Sequence, residues 1–125
     1  MPRATVNVEG KERFDLKSCP GGFVVLRRMT FGESLARREM IKLAISSSKG
    51  SKDFQGEMAM ASKQTTVFEF SHCIVEHNLE DEAGEILNFR TPVVFDSLDP
   101  RVGQEIEKLI SDMNNFAEDD DELGN

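Results

Sequence analysis

The stretch Phe68 to Asn78, FEFSHCIVEHN, gathers His72, Cys73, Glu76 and His77, side chains able to hold a metal or activate a nucleophile. On a helix, Cys73 and His77 lie one turn apart, and His72 and Glu76 share a neighbouring face. The run from Cys73 to His77 is a near miss to the H-x-x-E-H zinc pattern, with cysteine in the first histidine's place. Zinc needs three or four ligands, and Cys19, the other thiol, falls at a turn far away in sequence. Covalent catalysis by Cys73 needs a base in reach and an electropositive, accessible setting, whereas Phe70, Ile74 and Val75 surround it with apolar bulk. The reading is therefore a core helix over residues 65–79, with Phe70, Cys73, Ile74 and His77 inward and His72 and Glu76 at the rim. Neither a metal, a cofactor nor a catalytic residue is expected. Cys19-Pro20-Gly21-Gly22 also lacks the Gly-Lys-Ser/Thr that a nucleotide loop requires.

The elements that must position these residues follow from periodicity and turn chemistry. Arg13 to Ser18 alternates charged and apolar residues, and Phe23 to Leu26 is aromatic and β-branched. With Pro20 setting the first turn angle and Gly21 accepting positive φ, residues 13–28 read as a β-hairpin. Thr30-Phe31-Gly32-Glu33 has capping-box spacing and opens a helix to about Ser46. Phe31, Leu35, Ala36, Met40, Leu43 and Ala44 recur in it at three- and four-residue steps, and Glu33 is placed to pair with Arg37. Phe54 to Ser62 fits strand or helix. Leu79 to Glu85 is an acidic connector followed by a short apolar patch. Asp99 is a good N-cap with Pro100 at the first helical position. Val102, Ile106, Leu109, Ile110 and Met113 then form one apolar stripe, which Phe116 extends. The expected class is α+β: an N-terminal hairpin followed by three to four helices over residues 12–116. A flexible arm precedes it at residues 1–11, and an acidic tail at residues 117–125, too poor in apolar surface to order itself, follows.

A chain of 125 residues suffices for one self-supporting core. Its formal net charge of -8 disfavours nucleic acid and anionic membranes as partners. Five of those charges sit in Glu118 to Glu122, so the body is only mildly acidic. No apolar run reaches membrane-spanning length, and two distant cysteines favour reduced thiols in a cytoplasm. Candidate contact residues are few. Arg27, Arg28, Arg37 and Arg38 read as a basic patch for an acidic partner or the chain's own Asp119, Asp120 and Asp121, against the plainer reading of solvated charge. Phe31, Met58 and Met60 are adaptable apolar contacts, against the plainer reading of core.

Three stretches together, PGGFVVLRRMTFGESLARREM, FEFSHCIVEHNLEDE and LDPRVGQEIEKLI, resemble the small tail assembly chaperones of long-tailed bacteriophages. The likeness spans about residues 13–115. It implies a non-enzymatic assembly factor of the host bacterial cytoplasm, absent from the mature virion. Such a factor binds the tape measure protein, keeps its apolar helices soluble and helps recruit tail tube protein. It also implies two products, the longer made by ribosomal frameshifting and a partner for the shorter. Leu123-Gly124-Asn125 permits the slippery codons, so this chain is expected to be the short product. A homo-oligomer is compatible with this role. The competing expectations are a tail-completion or head–tail joining protein and, from the histidine cluster alone, a small metal-dependent hydrolase.

Overall fold

A computed structural model describes residues 2, 4, 5, 10–48, 50 and 52–116. Most of the N-terminal arm and the whole acidic tail, including Asp119 to Asp121, lie outside the described residues. The protein is α+β, and its described residues form a three-stranded antiparallel sheet, three α-helices and a short 3-10 helix.

The sheet begins with the expected hairpin. Strand β1 (Glu12–Asp15) pairs with β2 (Phe23–Leu26) in a register that sets Glu12 against Leu26 and Asp15 against Phe23. Between them, the Gly22 amide donates to the Cys19 carbonyl at 2.8 Å, and Gly21 takes φ 84°. Proline followed by a positive-φ glycine is the signature of a type II turn. Val24 and Leu26 are fully buried while Phe23 and Val25 are partly covered, the alternation that a half-buried strand requires.

Helix α1 (Phe31–Ser48) starts at a reciprocal capping box. The Glu33 amide donates to Thr30 Oγ1 at 3.2 Å, and the Thr30 amide donates to Glu33 Oε1 at 2.9 Å. Helix α2 (Phe54–Cys73) is capped by Asp53 and settles the ambiguous 54–62 stretch as helix. Here the expected helix over 65–79 is corrected. It stops at Cys73, and Ile74–His77 forms a third strand, β3, on the other edge of β2. The cause is non-local, because β2 has an open edge and Ile74 and Val75 are β-branched residues suited to fill it. The Cys73 carbonyl accepts from the Arg27 amide at 3.0 Å, which starts the pairing. Asn78 completes it by accepting from the Phe23 amide at 2.8 Å and donating to the Gly21 carbonyl at 2.9 Å.

Beyond β3, the connector turns back on itself through an isolated bridge from Glu80 to Ile86. After the 3-10 helix (Pro92–Asp96), helix α3 (Pro100–Asn114) opens on Asp99, which accepts from the Arg101 amide at 2.9 Å. It ends at Asn115 in the left-handed region, φ 56°. Val102, Ile106 and Ile110 bury its apolar stripe, and Phe116 extends it to 2% exposure. Glu105 ties α3 to the end of β1, accepting from the Lys17 and Ser18 amides, both at 2.9 Å, and from the Ser18 hydroxyl. Burial works to raise the Glu105 pKa, but these donors outweigh it and the net shift is downward. The core thus joins the sheet, the C-terminal end of α2, the loop carrying Leu79 and Phe89, and α3.

Candidate partner-docking site

The histidine–cysteine stretch is divided by the junction at Cys73/Ile74, so the helical Cys73–His77 pair of the sequence reading does not form. Cys73 is fully buried, and burial pushes its thiol up to about 12, which leaves it protonated and inert at neutral pH. His72 Nδ1 donates to the Phe68 carbonyl at 2.8 Å, an acceptor-only group that fixes the proton on that nitrogen. His77 Nδ1 instead accepts from the Leu79 amide at 3.0 Å, and its ring meets the Phe89 ring at 4.8 Å. Burial lowers the His77 pKa, opposed by the Leu87 backbone. Glu76 is exposed on β3. Among the described residues, no group of three or more His, Cys, Asp and Glu side chains is arranged to hold a metal ion. His72 thus bonds within its own helical turn while its Nε2 lies 3.9 Å from Glu33 Oε2 of α1, and His77 bonds at the exit of β3.

A different region stands out once burial is traced along the chain. The buried apolar core includes Met29 and Phe70 but no described residue between them, although partly buried Phe68 packs against it. The buried residues in that interval are Arg37, Thr65 and Glu69, all polar. Yet the interval spans α1 and most of α2 and carries large apolar side chains. Phe31 is 71% exposed, Leu43 62% and Met60 65%, with Leu35 and Phe54 also exposed. Ordinary core helices bury one apolar stripe and offer water a polar face. Helix α1 instead bears apolar residues on two sides. Ile41 and Ala44 line a groove of about 310 Å³ with Met58 and Ala61 of α2 and Phe116, while Phe31 and Leu35 lie on the side away from it.

Apart from the end of α2, where Phe70 and Cys73 enter the apolar core, polar contacts fasten this helical hairpin to the body. At its root, the Arg37 guanidinium pairs with Glu69 at 3.0 Å, both side chains at most 7% exposed, and stacks over the Phe116 ring at 3.8 Å. Arg27, just past β2, grips Glu33 through two nitrogens at 2.9 and 2.8 Å. Those bonds from Arg27, with help from the Thr30 amide, hold the Glu33 carboxyl down at about 2, against the opposing effect of burial. Lys63 reaches Asp96 at 2.7 Å across the surface.

The residues singled out from sequence therefore separate into groups. Phe31, Met58 and Met60 all lie on the hairpin but are not brought to one place, Met58 being half-buried in the groove and the other two exposed outside it. Arg27 and Arg37 are engaged in ion pairs rather than forming one basic patch, and Arg37, at 4% exposure, is interior. Glu33 takes Arg27 as its partner, and Arg37 takes Glu69, in place of the Glu33–Arg37 pair that helical spacing proposed. Arg28 is exposed and Arg38 half-buried. Leu35, Leu43 and Phe54 belong with the exposed apolar set and were not singled out by the sequence reading. The signal for them is present: counting Ile41 and Ile45 along with the other apolar residues of α1 leaves too many for one stripe.

No protein-family model, curated protein or solved structure matches this chain.

Proposed function

We propose that this protein is a binding and assembly factor of the tail assembly chaperone type, and that its client docks on the α1–α2 hairpin. The observation supporting this reading is the stretch between Met29 and Phe70, which exposes Phe31, Leu35, Leu43, Phe54 and Met60 and, among its described residues, adds no fully buried apolar side chain to the core. Exposed apolar surface of this kind costs solubility unless a partner uses it. An apolar helical platform suits the apolar face of an amphipathic client helix, the helix-in-groove mode of recognition. Methionines such as Met58 and Met60 adapt to irregular client side chains. The client on this reading is the phage tape measure protein, held soluble in the host cytoplasm until tail tube protein polymerises around it. The chaperone itself is then left out of the virion.

Coexpression tests this directly. The tape measure protein from the same genome should move from the insoluble to the soluble fraction with wild-type protein, and stay insoluble with a Leu43→Glu, Phe54→Glu double variant. Equal insolubility with and without the wild-type chain defeats the proposal.

A further inference from the structure

We infer that, in the absence of a client, the exposed face of the α1–α2 hairpin is covered by a second copy of the same hairpin, giving a two-fold dimer with a four-helix bundle at its centre. The inference rests on the hairpin being a docking surface and leaves the client's identity open.

Charge points to a second copy. The net charge of -8 is unevenly placed: residues 1–30 hold three acidic residues against six basic, residues 31–73 five against six, and residues 74–125 fifteen against three. The hairpin is thus the segment nearest neutrality, where two copies meet with the least like charge. On the exposed side of α1, Glu39 lies one turn beyond Leu35 and Lys42 two turns beyond it. A two-fold axis brings each residue of one copy against its counterpart's neighbours, so one copy's acid can meet the other's base.

Size agrees. Helix α1 has 18 residues and α2 has 20, which at 1.5 Å per residue gives a platform nearly 30 Å long and, for two helices, about 20 Å wide. Its flat area is roughly 600 Å² before side-chain relief is added, close to the ~800 Å² per partner of a standard stable interface. Two antiparallel helix pairs laid face to face make a four-helix bundle, a packing that needs apolar residues on the meeting faces and short connections elsewhere. Phe31 and Leu35 of α1 supply such residues, one turn apart, and Met60 of α2 a third. Client and second copy would then compete for one surface, and the apolar face would stay covered until a client displaced the dimer.

The test is the mass in solution of the full chain, purified without a client and followed through a dilution series by sedimentation equilibrium. Wild-type protein should read twice the 14.0 kDa chain mass. The Leu35→Glu, Met60→Glu double variant should read the chain mass, with dimer affinity weakened roughly 100-fold or more. Val93→Glu, at an exposed apolar residue of the 3-10 helix, should leave the dimer intact. If the double variant loses its far-ultraviolet helix signal, Leu35→Ser with Met60→Ser is read in its place. Wild-type protein monomeric at every dilution overturns the inference. So does a dimer that survives the double variant, or one lost equally in Val93→Glu. A monomer that still solubilises the tape measure protein rejects the dimer and leaves the proposed function standing; a hairpin dimer without that client activity does the reverse.

Discussion

Replacing Glu33 with glutamine tests whether an ion pair fixes the start of α1. Glutamine keeps the shape and still accepts from the Thr30 amide, since capping boxes use glutamate or glutamine, but it gives Arg27 no opposing charge. The Glu33 carboxyl is displaced from an ordinary 4.5 to about 2, chiefly by the Arg27 guanidinium. Taken whole, that displacement corresponds to roughly 3 kcal/mol of stability. About a fifth of each side chain in the pair is still open to solvent, and screening there reduces the expected loss in Glu33→Gln to about 2 kcal/mol at neutral pH. The direction with pH follows from linkage. A carboxyl whose folded pKa is lowered contributes fully above its unfolded value, and the contribution is lost as pH falls through the folded one. The difference between wild type and variant should therefore be complete above about pH 5, fall below half its size near pH 3, and vanish below about pH 2. Urea unfolding of both proteins at a series of pH values reads this gap while cancelling the other carboxylates common to both. A gap under about 0.5 kcal/mol at neutral pH, the level of an ordinary surface pair, or a gap that does not shrink in acid, would refute the reasoning.

Two further expectations concern the divided stretch. A thiol reagent applied to native protein at mildly alkaline pH should modify Cys19, while Cys73, fully buried and with its thiol pushed up to about 12, reacts only on unfolding; two thiols reacting at one rate would contradict the burial. Asn78→Ala removes the acceptor for the Phe23 amide and the donor to the Gly21 carbonyl. It should cost about 1–2 kcal/mol in urea unfolding, and an unchanged midpoint would show that the β3 exit is held by other contacts.

The parts of the fold legible in sequence are those where local signals agree with each other. Asp99 and Pro100 start α3, its 3.6-residue stripe follows, and nothing long-range is needed to read it. The Pro20–Gly21 turn and the Thr30–Glu33 box are equally local. Strand β3 is different. No glycine or proline separates Cys73 from Ile74, and the apolar pattern continues past the junction without a break in period. The strand exists because Val24 and Leu26, some fifty residues earlier, present an open edge, and that pairing is invisible to a window moving along the chain. The inward set Phe70, Cys73, Ile74 and His77 was nevertheless legible, because apolar character fixes which residues avoid water whichever backbone carries them. The exposed apolar face is half legible. Phe31 and Met60 stand out by type, but Leu35 and Leu43 read as part of a single core stripe, and sequence alone does not say which of two apolar faces the body covers.

The polar root of the hairpin bears on that choice of face. Replacing an interior ion pair such as Arg37–Glu69 by well-packed apolar residues is often neutral or stabilising, so its presence calls for a reason other than stability. A leucine or phenylalanine at position 37 or 69 would add to an apolar helix that already carries unburied side chains on its other side. Either face could then satisfy the core, and α1 could roll to bury Phe31 and Leu35 instead of Ile41 and Ala44. A charge at Arg37 is tolerated inside only where Glu69 and the Phe116 ring receive it, and the bidentate Arg27–Glu33 contact is directional as well. Directional pairs at the root specify a single roll angle for the helix, which apolar burial alone would leave degenerate. By fixing that angle they hold the exposed apolar face outward, available to a partner, at some expense in the stability of the isolated chain.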